Sequence, residues 1–286
     1  MATAGGRSSR RAEMDDLADS HGHLTMVFDG GTTAGRPRPP TAAEVAGLVA
    51  RARDAGVTRM LVPGTCRGDL RLAVEIADAH GGVYAAVGVH PHEAKDFDED
   101  EDLRLFEELC ASAKVVAVGE IGLDFHYDHS PRDVQKRVLA AQLRFAKEKG
   151  LPVLLHNRNS EADLLPVLEA EYPGAAGELR GVLHSFCADL ETGRRAIALG
   201  YLVSYSGMIT FRAAENVRES AAALPLDSML IETDAPYLAP APFRGKPNEP
   251  SLLPKTAARM AEVKSLSVAE VAAVTTANFR RLFGTS

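Results

Sequence analysis

The sequence predicts an α/β protein folded as a single closed (β/α)8 TIM barrel, and three observations carry that expectation. Short apolar runs of strand length alternate with stretches of helical period eight times along the chain. Those runs are almost continuously apolar, as in a parallel sheet covered on both faces, and lack the polar alternation of a half-exposed sheet. Eight such units within 286 residues, with no linker or repeat in between, fit one barrel better than two open sheets.

Taken in order, the chain opens with residues 1–16, Gly/Ser/Arg-rich at first and then acidic, read as a disordered extension. Residues 17–286 form the barrel domain. Its first strand spans Leu17 to Leu24, and Thr25 to Pro40, rich in Gly, Thr and Pro, reads as a loop. Thr41 and Glu44 form a capping box for a helix to about Ala55, closed by Gly56. Strand 57–62 and helix 69–80 follow, then strand 83–89 and helix 100–113. Val115 to Val118 is the fourth strand, running into Gly119-Glu120-Ile121-Gly122-Leu123-Asp124. Helix 131–149 is capped by Gly150. The remaining strands are 152–155, 181–183, 201–205 and 229–231, separated by helices 161–172, 190–199 and 213–223. Further helices follow from Pro254 onward.

Composition excludes several classes. With 45% hydrophobic and 25% charged residues the chain is ordinary globular protein, and no run approaches the ~18 apolar residues of a membrane span. Net charge is −7, so a polyanionic partner must be held by a local patch or by metal ions. Cys66, Cys110 and Cys187 are widely spaced and odd in number, which argues for a reduced, cytoplasmic protein without disulfides. His184 with Cys187 is half a zinc motif without a second half, so a small, partly buried thiol is the better reading.

The chemistry lies in what each strand ends with. In an extended Asp19-Ser20-His21-Gly22-His23, period-two alternation puts Asp19, His21 and His23 on one face. Strand four ends in Glu120, strand five in His156, strand six in His184 and strand eight in Asp234. Barrel strands converge at their C-terminal ends, where active sites of this architecture are built. Four imidazoles and two or three carboxylates without thiolate suit Zn, Mn, Fe or Mg. Their number exceeds the needs of one ion, so two divalent ions are expected, able to polarise a phosphoryl or acyl oxygen and activate water. Glu120 is the natural bridge, and Asp234 is either a ligand or a general base.

These residues, with their surroundings, resemble the TatD family of metal-dependent deoxyribonucleases, within the amidohydrolase-like barrels. The similarity runs through Asp19-Ser20-His21-Gly22-His23-Leu24, Gly88-Val89-His90-Pro91-His92, Gly119-Glu120-Ile121-Gly122-Leu123-Asp124, His156-Asn157-Arg158, His184-Ser185-Phe186 and Glu232-Thr233-Asp234-Ala235-Pro236-Tyr237. It continues into Pro242-Phe243-Arg244-Gly245-Lys246-Pro247-Asn248. The resemblance implies a divalent-metal-dependent hydrolase, usually a DNase. It assigns His21, His23, Glu120 and Asp234 to one ion and Glu120, His156 and His184 to the second. Asp19 is then left as a partner that orients a histidine. Cys187-Ala188 after Phe186 and the long Thr25–Pro40 segment depart from the family pattern.

Several residues keep two readings. His92 could meet substrate or brace the loop that Pro91 fixes. Arg158 could contact a phosphate or pair with a barrel carboxylate. Arg244, Lys246 and Asn248 form a loop that could meet a phosphodiester backbone or lie solvated. Phe125, Tyr127 and Tyr237 could stack on bases or pack. The leading expectation is a phosphodiesterase acting on DNA, single-stranded and from the 3′ end, in a monomer or weak oligomer away from membranes. Hydrolysis of a carboxylic ester or amide is the alternative, and a non-enzymatic binding barrel is the third. Glu120, where related barrels carry a bridging Lys, disfavours one branch of the acyl hydrolases.

Overall fold

A computed structural model describes residues 16–29, 35, 37–127, 129–174 and 177–285. Eight parallel strands lie in sequence order: β1 (Leu17–Asp19), β2 (Val57–Pro63), β3 (Val83–Val87), β4 (Val115–Asp124), β5 (Val153–Arg158), β6 (Gly181–Leu183), β7 (Tyr201–Tyr205) and β8 (Met229–Ile231). Helices α1 (Ala42–Asp54), α2 (Leu70–Ala79), α3 (Glu99–Leu109), α4 (Arg132–Lys149), α5 (Glu161–Glu171), α6 (Leu190–Ala198) and α7 (Glu215–Ala223) connect them. α8 (Leu253–Lys264) and α9 (Val268–Phe283) follow β8. The seam between β1 and β8 closes through the Ser20 amide on the Ile231 carbonyl at 3.1 Å and a parallel bridge from Gly22 to Ala235. The expected (β/α)8 barrel is what the chain forms.

Alternation along the strands divides the apolar residues into two sets. Leu17, Val57, Val83, Val118, Val153, Leu183, Val203 and Ile231 join the helices in one large core. Ala18, Leu61, Ala86, Ala117, Leu154, Val182, Leu202 and Leu230 form a second core with Phe279, Leu282 and Phe283 of α9. Asn278 of the same helix donates to the carbonyls of Leu226 and Met229 at 3.0 and 2.8 Å, just before and at the start of β8. α9 thus plugs the N-terminal mouth of the barrel with aromatic rings.

Several boundaries shift. The expected first strand, 17–24, stops at Asp19, because the amides beyond it are divided between neighbours: Ser20 donates to Ile231 and Gly22 to Leu61. β4 runs six residues past Val118, to Asp124, and is buried throughout. There Gly122, at φ 143°, lies where a Cβ would sit 2.0 Å from the His156 carbonyl oxygen, so only glycine lets β4 approach β5 this closely. The helix expected over 100–113 ends at Leu109, since the amides of Ala111 and Ser112 turn back to the carbonyls of Glu108 and Leu109.

The Thr25–Pro40 segment is more than a loop: Val27–Phe28 pairs antiparallel with Pro37–Arg38, and Arg38 bonds Asp29 and Glu44. The disordered extension expected over 1–16 lies outside the described residues except for Asp16. That residue is tied to the body by Thr58 at 2.7 Å, Arg280 at 2.6 Å and Arg59. Cys66 and Cys110 are half-buried free thiols, whereas Cys187 is exposed rather than partly buried. Among the described residues no helix is long and apolar enough to cross a membrane.

Candidate metal centre

At the C-terminal mouth the strand ends bring their polar residues together. Glu120, on β4 and buried, lies at the middle, and its two oxygens face different partners. Oε2 is 3.3 Å from His21 Nε2 and 3.6 Å from His23 Nε2. Oε1 is 2.9 Å from His184 Nε2, 3.1 Å from His156 Nδ1 and 3.4 Å from His90 Nε2. Asp234 Oδ1 joins the first set, 3.5 Å from His23 and 3.7 Å from His21. The two sets touch, because the His21 and His184 rings stack at 3.9 Å. Asp234 holds a left-handed backbone, φ 56°, sparsely populated for a residue with a side chain and typical of functional sites.

Ring nitrogens also lie close to one another. His21 Nε2 and His23 Nε2 lie 3.1 Å apart, and His156 Nδ1 and His184 Nε2 lie 3.3 Å apart. A first-row ion with bonds of about 2.0–2.1 Å needs donors about 3.0–3.4 Å apart along its coordination edges. The nitrogens and oxygens here, 2.9 to 3.7 Å apart, bracket that spacing and have that chemistry. Three triads bring one ligand atom from each residue within 4.8 Å of the others: His21-His23-Glu120, His21-His184-Asp234 and His90-Glu120-His156.

Carboxylates behind the rings select which nitrogen faces inward. His184 directs Nδ1 to Glu232 at 3.3 Å, which leaves Nε2 toward Glu120. Glu232 also accepts from the Ser185 amide at 2.8 Å. His156 directs Nε2 to Asp124 at 3.1 Å, which leaves Nδ1 toward Glu120. Such partners fix the tautomer and raise the basicity of a ligand. Among the described residues, Nδ1 of His21 and of His23 has no such partner.

The electrostatics follow from burial and crowding. Burial opposes ionisation of Glu120, but His184, His90 and His21 hold its carboxyl well below the usual carboxylate range. Burial likewise works against charge on His184, yet Glu120 and Glu232 push it well above the ordinary imidazole value. His90 is pushed down to about 4 by burial, with His156 adding to the effect against the pull of Glu120. Burial raises the Asp19 carboxyl to about 7.

Of the residues singled out in the sequence, His21, His23, Glu120, His156, His184 and Asp234 converge. Asp19 does not orient a histidine ring, contrary to expectation. Its oxygens are taken by the Thr233 amide (2.9 Å), the Thr233 hydroxyl (2.6 Å) and the His21 amide (3.3 Å), so it clamps backbone across the barrel seam. The orienting role expected of it falls to Glu232 and Asp124, which lie in the motifs named above but carry no local sign of that role.

His90 was also missed as a member of the cluster. It stands one residue past Val89, at the kind of strand end that exposed His156 and His184. His92 donates to Asp124 at 2.8 Å, which favours the bracing reading. Asn248 is buried with its amide bonded to the Thr233 carbonyl at 2.7 Å and its oxygen to the Glu249 amide at 3.0 Å. That side chain is engaged by backbone at both ends of its amide. Arg158 makes no ion pair among the described residues, and its guanidinium lies 4.8 Å over the Tyr127 ring. Arg244 lies 3.6 Å over Phe211, and Lys246 is exposed beside it.

Residues 18–284 match the family model described as TatD related DNase. The chain is 41% identical over 236 residues to the uncharacterized metal-dependent hydrolase YabD of Bacillus subtilis (strain 168), covering 82% of this chain and 91% of that one. It is 36% identical over 245 residues to the 3′-5′ ssDNA/RNA exonuclease TatD of Shigella flexneri serotype 5b (strain 8401), covering 83% and 92%. Among solved structures, YJJV, a TatD homolog from Escherichia coli k12, aligns with a TM-score of 0.84 at 31% identity, over 96% of this chain and 100% of that one.

Proposed function

The chain belongs to the TatD family of metal-dependent hydrolases, and on that premise we propose that it hydrolyses phosphodiester bonds of single-stranded DNA from the 3′ end, using two divalent ions per subunit. One observation carries the reading: each oxygen of Glu120 addresses its own set of imidazoles. His21, His23 and Asp234 with Oε2 would hold one ion, and His156 and His184 with Oε1 the other. Zn, Mg and Mn all suit donors of this kind. Bound there, such ions polarise a phosphoryl oxygen and make water a stronger acid near neutral pH.

The chain's own groups supply the rest. Asp234, pulled toward the ionised form by the hydrogen bond from His23 against the effect of burial, is ready to take a proton from an attacking water. Glu232 and Asp124 take the outward nitrogens of His184 and His156 and so aim their inward nitrogens at Glu120. In a protein of net charge −7, Arg158, Arg244 and Lys246 give a strand its local attraction to the mouth. Both guanidiniums rest on aromatic rings, which leaves their N–H groups for phosphate. The relative named as a 3′-5′ ssDNA/RNA exonuclease supports polarity and strandedness. A monomer or weak oligomer working in the cytoplasm completes the reading.

The test is metal-loaded protein on a 5′-labelled single strand with Mg, Mn or Zn. A ladder shortening from the 3′ end, lost in Asp234→Asn, is expected. No cleavage with any of the three ions, alongside turnover of a carboxylic ester or amide, would replace this reading with acyl hydrolysis.

A further inference from the structure

Beside His23 lies a cavity of about 210 Å³ that the metal centre does not use. One wall is Met26, Val27 and Phe28, from the ribbon in the Thr25–Pro40 segment; Leu48 of α1 and Pro247 face it. All five side chains are only half-buried. Tyr237, 39% exposed, stands at its edge, with its ring 5.8 Å from Phe28 and 6.1 Å from His23, and its hydroxyl donates to Met26 Sδ at 3.2 Å. Uncovered apolar surface of this kind beside a polar centre marks a place where a ligand completes the packing.

Arg51, Asn248 and Glu249, polar groups of the cavity wall, are already engaged. Arg51 grips Glu249 through three bonds of 3.1, 3.0 and 2.6 Å, and Asn248 is held by backbone at both ends of its amide. Prolines 236, 247 and 250 contribute no N–H. What remains for a ligand is an apolar lining with the Phe28 ring in it, ending at His23, whose Nε2 is 3.5 Å from Asp234.

We propose that this cavity is a base subsite: it takes, by stacking and without reading its hydrogen-bonding edge, the nucleobase next to the phosphodiester being cut. The inference rests on the phosphodiesterase reading above and adds its substrate class, a strand carrying an unpaired base at its 3′ terminus. Stacking on a protein ring tolerates every base because each has a π-face. The subsite therefore gives a preference for a base over none, with little choice among the four.

The test compares two single strands, one ending in an ordinary 3′ nucleotide and one in a baseless tetrahydrofuran residue, cleaved by metal-loaded wild type, Phe28→Ala and Phe28→Trp. The kcat/KM ratio of the two strands should be ~5- to 150-fold for wild type. It should fall toward one in Phe28→Ala, through the base-bearing strand alone, and return in Phe28→Trp. A wild-type ratio near one, or one that Phe28→Ala leaves in place, overturns the subsite while the nuclease reading stands. If wild type cuts neither strand, the nuclease reading fails. The subsite is then judged by a strand ending in 2-aminopurine: fluorescence quenched by wild type and not by Phe28→Ala supports it, and equal fluorescence overturns it.

Discussion

The two mouths of the barrel are made from the same eight strands and obey opposite rules. At the N-terminal mouth, Phe279, Leu282 and Phe283 fill the opening, and Asn278 and Asp16 bind neighbouring backbone or charge. At the C-terminal mouth five imidazoles crowd one carboxylate, nitrogens face nitrogens, and Asp234 sits in a left-handed conformation. The first arrangement is close to the lowest free energy that the chain can reach unaided. The second gathers donors that a bound cation would complete. A barrel of this kind separates stability from chemistry by end.

The comparison can be broken at either mouth. Phe279→Ala should lower unfolding free energy by about 3–5 kcal/mol in urea titrations, while kcat of the folded fraction stays at the wild-type value. A parallel loss of kcat would show that the ends are coupled. Glu120→Gln should do the reverse, reducing hydrolysis by about 10²–10³-fold or more, with metal content falling and the melting temperature of the metal-free protein little changed. Glu232→Gln removes only the partner behind His184, and metal affinity measured by competition with a chelator should drop about 10–100-fold.

A pH series sharpens the same contrast. His184, raised above its ordinary value by Glu120 and Glu232 against burial, must give up its proton to serve as a ligand. Divalent-ion affinity should therefore rise with pH through neutrality, about tenfold per pH unit for each proton displaced. Flat affinity between pH 6 and 8 would remove His184 from the ligand set. Smallest is Asp19→Asn. Burial lifts this carboxyl to about 7, so the neutral amide resembles a form already present near neutrality. The cost should be about 1 kcal/mol of stability, with metal affinity weakened but retained.

Legibility followed the same division. Strand ends are readable because a buried apolar run that stops at His or Glu breaks its own pattern, and His156, His184 and Glu120 announced themselves that way. His90 did not, because Pro91 and His92 beside it offered a loop explanation for the whole tripeptide. Glu232 and Asp124 were hidden by distance: they act on rings 48 and 32 residues away, and no local spacing encodes that pairing. Asp19 misled for the opposite reason. Its place in line with His21 and His23 suggested a ring contact, whereas barrel closure brought Thr233, 214 residues away, to both its oxygens. The turn chemistry around residue 41 was local, and its capping box formed as expected.

That closure has a consequence for how the molecule opens. His21 and His23 stand on one lip of the β1–β8 seam and Asp234 on the other, joined by the Asp234 amide on the His21 carbonyl at 2.8 Å and the His23 amide on the Ala235 carbonyl at 2.6 Å. Of all joints between neighbouring strands, this one links the most distant parts of the chain and costs the most chain entropy to shut. An ion shared by His21, His23 and Asp234 would act as a rivet through that joint. Hydrogen exchange at Ser20, His23 and Asp234 should slow on adding the ion far more than at the β4–β5 joint, which makes the enzyme's own seam the gauge of its loading.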